Sequence, residues 1–300
     1  MLWETDERIW GKRDIVMNTL YLVVTSNLKE PDYYSRFAKS VDLCSNIKVF
    51  FVNQSNIPME KVYTYKQSSC KTFNVGKQIP LSKARNIVLK HLYEEDSKIT
   101  EDAVIMFVDD DAWFPKETLD YLLEREIKGR CLRTIDPDTN KSFNGLNYTD
   151  GEVRGWHLVT DICSICLVVP FEVLKKNRLY FNENLGVGND ISQGEESLFI
   201  YHLHRYGLRI FYCKEYIYHP YKNDYGEKTY YSLSYFWSCA MSHVSRIFTY
   251  PCLRYLLKYT VGLVLSIKDR KYLRRFKMVW KGFFEGLVDK KMVMEVRDDS

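Results

Sequence analysis

The sequence predicts an α/β protein built on a doubly wound, Rossmann-like nucleotide-binding sheet with helices on both faces. Three observations predict it. Residues 19–25 and 47–53 are continuous apolar runs separated by a helical stretch over 32–44, the strand–helix–strand opening of such a sheet. A third apolar run, residues 104–108, ends abruptly in Asp109-Asp110-Asp111. Three adjoining carboxylates repel one another unless a cation offsets them, and in open α/β sheets ligands sit outside the carboxyl ends of the strands. At 300 residues and 46% hydrophobic, the chain can bury a full core. Its net charge of +4 is too small to indicate a nucleic-acid partner.

Taken in order, the first strand ends at Ser26-Asn27 and the second in the polar turn Gln54-Ser55-Asn56, with a short further strand expected over 62–65. Pro80-Leu81-Ser82 opens a helix that Ser82 can cap, with Ala84, Ile87, Val88, His91 and Leu92 on one side and Arg85 and Asn86 in its first turn. The acid-tipped strand follows, then a helix from Pro115 to about Ile127. From 130 to 156 the periodicity breaks down. Asp136-Pro137, Asn144-Gly145 and Asp150-Gly151 are turn pairs, so this stretch reads as an excursion of loops or hairpins over the site. Trp156 closes it, as a sugar-stacking platform or a core anchor.

Residues 162–169 read as a strand that packs Cys163 and Cys166, and a short helix starts at Phe171. The eight cysteines include only this one CxxC, so a four-ligand metal ribbon is excluded and reduced structural thiols are expected. Gly186 and Gly188 shape a loop. Gly194-Glu195-Glu196 leads into a helix that stops at Gly207, a strand covers 208–213, and Tyr218-His219-Pro220 ends the region. Glu195 and Glu196 occupy a first helical turn, where the macrodipole favours ionised carboxylates and a general base can serve. Hard divalent cations take carboxylate oxygens, which makes Asp109 and Asp111 candidate ligands of Mn²⁺ or Mg²⁺, with His219 a candidate third.

The order of these pieces resembles the inverting glycosyltransferases of family 2, which have the GT-A fold. The resemblance runs from about Thr19 to Pro220 and rests chiefly on Leu81-Ser-Lys-Ala-Arg-Asn86, Phe107-Val-Asp-Asp-Asp111 and residues 181–196. It implies that Asp109 and Asp111 are the family's Asp-x-Asp, contacting the ribose and a metal on the sugar-diphosphate, with Asp111 the direct ligand and Asp110 beside them. It implies that Arg85 and Asn86 line the nucleotide pocket, that Glu196 is the catalytic base with Glu195 beside it for the acceptor, and that His219 approaches the metal or diphosphate. Thr25 and Asn53, at the ends of the first two strands, fall at the donor site. There the chain departs from the family: Asn53-Gln54 stand where an Asp often reads the base, and Thr25-Ser26-Asn27 where Pro-Thr-Tyr-Asn is usual. The implied activity is inverting transfer from a nucleotide sugar, UDP-linked, to a saccharide or polyprenyl-linked saccharide in capsule or O-antigen assembly.

Domains are expected at 1–228, catalytic, and 229–300, helical. From Arg246 to Lys291 twelve Lys and Arg face three acids, a balance of +9 that leaves −5 for the rest of the +4 chain. Phe276, Val279, Trp280, Phe283 and Leu287 form one stripe, opposite Lys271, Arg274 and Lys281; Leu253, Leu256, Leu257, Val261 and Val264 form another. Such a segment suits the plane of an anionic membrane, or packing on the catalytic domain or on a homodimer partner. No run reaches the roughly 18 apolar residues of a membrane span and residues 1–13 lack a signal-peptide core, so the expectation is a cytoplasmic protein peripheral to the inner face of the membrane.

Three rival readings remain. A phosphotransfer hydrolase with Asp109 as nucleophile would carry Thr or Val where Trp113 stands. A nucleotidyltransferase would show a Gly-rich basic loop after the first strand. A non-catalytic nucleotide-sugar or membrane-binding scaffold would not need Asp109, Asp111 and Glu196 together.

Overall fold

The strand that ends in three acids, β4 (Ala103–Asp109), is buried along all of its length except Asp109. A computed structural model describes residues 17–95, 102–124, 126–142, 151–220, 226–265 and 270–289. β4 lies parallel to β1 (Thr19–Ser26), β1 parallel to β2 (Ile47–Asn53), and β2 parallel to β3 (Ser69–Asn74). The register sets Thr25 opposite Asp109 and Ser26 opposite Asn53, so three strands finish at one edge. Burial on both faces is why these strands are unbroken apolar runs. Beyond β4 come β7 (Leu167–Pro170), β5 (Gly129–Ile135), β8 (Ile210–Tyr218) and β6 (Gly151–Glu152), giving the order β3-β2-β1-β4-β7-β5-β8-β6 among the described residues. β7 runs antiparallel to both β4 and β5, so the sheet is mixed.

Helices α1 (Pro31–Val41), α2 (Leu81–Glu94), α3 (Lys116–Glu124), α4 (His157–Thr160), α5 (Phe171–Asn177) and α6 (Glu195–Arg205) flank this sheet. α1 buries Tyr34, Phe37, Ala38 and Val41, and α2 buries Val88, Leu89 and Leu92. These side chains join those of β1, β2 and β4 in one hydrophobic cluster.

Four expectations are corrected. Residues 62–65 form no strand: Asp42 accepts hydrogen bonds from the backbone N–H of Lys66, Gln67 and Ser68 and from Tyr63, which holds this stretch as a loop until β3 begins at Ser69. Ser82 caps nothing. Pro80 is the N-cap, and Ser82 Oγ donates to Leu185 O at 2.7 Å. The 130–156 excursion begins with a central strand instead, β5, whose pattern is broken by Arg130 and Arg133. Arg130 is nonetheless buried, its guanidinium 4.8 Å from the Tyr121 ring centroid. The turn at 136–140 is present, with Asp136 accepting from Asp138 N and Thr139 Oγ1, whereas Asn144-Gly145 and Asp150 lie outside the described residues. Residues 164–166 are a 3-10 turn ahead of β7, so the Cys163 strand is shorter than its apolar run.

Three helices complete the chain: α7 (Glu227–His243), α8 (Thr249–Leu265) and α9 (Arg270–Val288). α7 is anchored to the sheet domain, with Phe236 over Gly194 and the Ser232 hydroxyl accepting from Ser192 N at 3.1 Å. α9 lies along α7 on two glycines. Its predicted stripe is turned into the protein, with Val279 buried, Phe276, Trp280, Phe283 and Leu287 half-buried, and Val279 O accepting from Ser234 Oγ. The side chains of Val264 and Lys271 lie outside the described set.

A Cβ at Gly286 would stand 2.3 Å from Tyr235 O and 2.2 Å from Ser238 Oγ. Gly286→Ala is therefore expected to destabilise the fold by about 1–3 kcal/mol, the usual cost of overpacking. A urea midpoint that does not fall would contradict the close α7–α9 contact.

Candidate functional site

Beyond the carboxyl end of β4 the acids fan out to different partners. Asp110 turns back to β1, where the Ser26 hydroxyl donates to it, and Ser26 Oγ also receives Leu28 N at 2.9 Å. Burial pushes the Asp110 carboxyl up to about 6, with the charges of Asp111 and Asp109 adding to the effect and the Ser26 hydrogen bond opposing it. Asp109 and Asp111 face His219 instead, at 3.4 and 3.1 Å from its Nε2. His219 arrives there because the end of β8 is sewn to the segment after the acids: Trp113 N donates to Tyr218 O at 3.0 Å and Tyr218 N to Trp113 O at 2.9 Å.

Burial opposes a charge on His219, but its hydrogen bonds to Asp109 and Asp111 and their negative charges outweigh it and push the imidazole up to about 10. Protonated, His219 offsets the charge of the two carboxylates; to ligate a cation it has to give up that proton. Ligand atoms of Asp109, Asp111 and His219 all lie within 4.8 Å of one another. Two carboxylates and one imidazole, gathered at a strand end, are a donor set that Mn²⁺ or Mg²⁺ accepts.

Arg85 joins this cluster to the second one. The side chain is 2% exposed, on the first turns of α2, with its guanidinium 5.1 Å from the Phe181 ring and 5.9 Å from that of Phe107. Nη2 is 3.8 Å from Asp109 Oδ1 and Nη1 is 3.6 Å from Glu196 Oε1, while Nη1 has no hydrogen-bond partner among the described residues. Glu196 opens α6 with its side chain 28% exposed, and the Ser164 hydroxyl donates to it. Glu195, next to it, is enclosed. Burial pushes its carboxyl up to about 8, Glu196 adds repulsion, and Arg85 partly offsets both.

The loop between α5 and α6 is folded onto α2. Asn86 Nδ2 donates to Phe181 O at 2.8 Å, Phe181 N donates back to Asn86 Oδ1 at 2.9 Å, and Leu81 N donates to Val187 O at 2.9 Å. Gly186 and Gly188 both have φ near +97°, and a Cβ on Gly186 would meet the Glu195 carboxyl at 2.7 Å. The glycines thus supply both a left-handed backbone and the room in which Glu195 packs.

A cleft beside the acids is lined by Thr25, Ser26, Gln54, Gln78, Asp109 and Asp110. Of the residues expected at the donor pocket, Thr25, Asp109 and Asp110 line it. Asn86 does not face it, since its amide clamps the 181–183 loop. Asn53 does not either: its Nδ2 donates to Ile57 O and Asn74 Oδ1, and its Oδ1 accepts from Ser55, so the whole amide shapes the turn after β2. Gln54, the next residue, turns to the cleft, with Oε1 held by Ile79 N at 2.7 Å. Sequence reasoning missed Ser26, Ser164 and Gln78. Ser164 lies 32 residues from Glu196, and no local pattern marks such a pair.

Cys163 and Cys166 sulfurs are 3.5 Å apart and both thiols are pushed well above the usual range, first by the hydrogen bonds among the sulfurs and also by burial. They are free thiols, as are the other six. Trp156 is half-buried with His157 stacked on it at 3.7 Å and Tyr250 at 4.6 Å, so its ring ties the segment before α4 to α8.

No protein-family model and no curated sequence matches the chain. By structure it is similar to the mannosyltransferase PcManGT from Pyrobaculum calidifontis, solved in complex with GDP-Man and Mn²⁺. The TM-score is 0.55 at 10% identity, over 91% of this chain and 87% of that one. What the two share is the fold, a GT-A Rossmann-like sheet.

The Glu195 carboxyl gives a signed pH test. Its folded pKa, about 8, lies above its ordinary 4.5, so the fold favours the protonated acid and loses stability as pH rises through this window. Glu195→Gln should melt near wild type at pH 4.5 and increasingly above it towards pH 9, in metal-free buffer. A gap independent of pH would contradict the enclosed carboxyl. Arg85→Met, which leaves its acids without the counter-charge, should cost about 3–5 kcal/mol of stability in denaturant melts at pH 7.

Proposed function

We propose that this chain is a metal-dependent inverting glycosyltransferase acting on a nucleoside-diphosphate sugar. The observation that carries the reading is one buried arginine shared by two acidic groups: its Nη2 is near Asp109, which lines the cleft and clusters with Asp111 and His219, and its Nη1 is near Glu196. The GDP-Man and Mn²⁺ held by the structural neighbour support the same ligand class for a shared fold. The expectation of a UDP-linked donor stands beside it as the second nucleotide to test.

Asp111 and His219, with Asp109, are the residues that would hold Mn²⁺ or Mg²⁺, whose chemistry is to offset the charge that grows on a departing diphosphate. We assign Asp109 a contact to the ribose as well, a reading supported by its place in the cleft with Thr25 and Gln54. Glu196 would accept the proton of the acceptor hydroxyl as that oxygen attacks the sugar carbon from the face opposite the diphosphate, which inverts the configuration. The Ser164 hydrogen bond and the attraction of Arg85 fix where that carboxylate stands. Glu195, enclosed behind it, is a support for the α6 turn and the Gly186 loop more than an open acceptor contact.

The acceptor we infer is a saccharide or polyprenyl-linked saccharide hydroxyl in cell-surface polysaccharide assembly, capsule or O-antigen, at the inner face of the membrane. No helix among the described residues is long and apolar enough to cross a membrane. A non-catalytic nucleotide-sugar scaffold would bind the same donor without turnover, so activity has to be measured as well as binding.

Thermal shift with UDP-, GDP- and other nucleotide sugars, with and without Mn²⁺, tests the reading. Stabilisation by at least one of them, dependent on metal and lost in Asp111→Asn, is expected. No metal-dependent shift with any nucleoside diphosphate would sink it. Once a donor and acceptor are in hand, Glu196→Gln should lower kcat by roughly 10²–10⁴ with donor binding retained, the range of a removed general base. A variant as fast as wild type would remove Glu196 from that role.

A further inference from the structure

One flank of α8 is left bare. Leu253, Leu257, Val261 and Leu265 recur every four residues and are 55%, 64%, 45% and 79% exposed, with Tyr250 at 49% just before them. Four-residue spacing keeps these four on one side of the helix, a strip of about 18 Å. Arg254 and Lys258 are exposed beside them, and α8 has no acidic residue. The opposite flank is ordinary core: Cys252, Leu256 and Tyr259 are buried, with Tyr259 against Tyr230 of α7. A lone exposed leucine needs no explanation, but an aligned row of apolar side chains marks a contact surface.

We propose that this flank of α8 docks in the plane of an anionic bilayer, its apolar row at the acyl boundary and its basic residues among the headgroups. The charge selects this occupant. Arg254 and Lys258 flank the row, Arg274, Lys277 and Lys281 are exposed on the adjoining α9, and the segment as a whole carries +9. A second copy of the chain meeting this face symmetrically would set Arg254 and Lys258 near their own equivalents, which like-charge repulsion disfavours. No helix among the described residues is long and apolar enough to span the bilayer, and the docking proposed is in the plane of its surface. The docking element is therefore chiefly α8: the stripe of α9 is buried at Val279 and half-buried at Phe276, Trp280, Phe283 and Leu287, with Phe284 and Val288 exposed beyond it.

The surface is continuous with the site. Tyr250 packs on Trp156, and Arg254 stands 5.9 Å from the same ring. The segment that follows Trp156 carries Ser164, the partner of Glu196, and Val159, whose carbonyl accepts from Ser197 Oγ at 2.7 Å. Docking by α8 holds the Glu196 side of the molecule near the membrane, where a lipid-linked acceptor is presented. That last step rests on the transferase reading; the docking itself does not.

The test is co-sedimentation of the full chain with phosphatidylcholine vesicles, with and without one third phosphatidylglycerol. Expected is binding at least about tenfold tighter to the anionic vesicles, weakening with salt, given the contribution of each basic residue near such a surface. Leu257→Glu with Val261→Glu should lose binding by tenfold or more, at an unchanged melting temperature because both sites are exposed. Arg254→Glu with Lys258→Glu should lose the anionic preference. Equal binding to both vesicles, no binding to either, or variants that bind as wild type would overturn the proposal. So would a dimer in solution that Leu257→Glu converts to monomer, which would make the face an interface between copies. Metal-dependent nucleotide-sugar shifts measured on the same variants report on the transferase reading separately, so either idea can fail while the other stands.

Discussion

A guanidinium removed from water has to be surrounded by negative charge, and Arg85 is the point about which the site is arranged. Removing an arginine side chain from solvent costs several kcal/mol. Each acid near 4 Å returns about 4 kcal/mol at an effective dielectric of 20, less for Asp109, whose side chain solvent reaches. Asp109 from β4 and Glu196 from α6 both contribute to offsetting that cost. The rings of Phe107 and Phe181 close the remaining sides. The same group also moderates the repulsion between Glu195 and Glu196. One cation thus couples Asp109, at the end of the acid-tipped strand, to Glu196, in the first turn of a helix 87 residues later.

The sheet topology makes that coupling possible. Parallel strands β1, β2 and β4 deliver Ser26, Asn53 and Asp109 to one edge, and the β8–Trp113 bridge brings His219 across to the same place. The loop that leads into α6 is held to α2 by Asn86, Ser82 and Leu81, so the helix that carries Arg85 also fixes the start of the helix that carries Glu196. Each polar side chain spent on this framework is unavailable to a ligand. Both polar ends of the Asn53 and Asn86 amides are spent in this way, whereas Gln54 gives only its Oε1 to Ile79 N and still lines the cleft with Thr25.

Amphipathic helices are ambiguous until their neighbours are known. α8 and α9 both carry an apolar flank and a basic one. The stripe of α9 that carries Val279 meets α7, where glycines 282 and 286 allow backbone contact, whereas α8 keeps an apolar row facing outward; α9 itself still exposes Leu273, Phe284 and Val288. The helical segment also shares its core with the sheet, through Phe236 above Gly194, and this ties the end of the chain to the α6 turn.

The sequence by itself determined the buried strands, the acid trio, the helix starts at Leu81 and Glu195 and the special glycines, because each depends on local periodicity, chain stiffness or charge. It also placed Asp109, Asp111, His219, Arg85 and Glu196 in one set through the order of their motifs. It did not reveal β5, where Arg130 and Arg133 interrupt the apolar pattern, since a buried arginine is tolerated only once Tyr121 and a carbonyl are there to receive it. Nor did it reveal Ser26 with Asp110 or Ser164 with Glu196, pairs 84 and 32 residues apart. Asp109-Asp110-Asp111, read locally, is a cluster of three equivalent acids. Tertiary structure made them unequal, giving Asp110 to a serine on the neighbouring strand and Asp109 and Asp111 to a histidine, because hydrogen bonds across strands depend on register and crossing, which no local sequence pattern encodes.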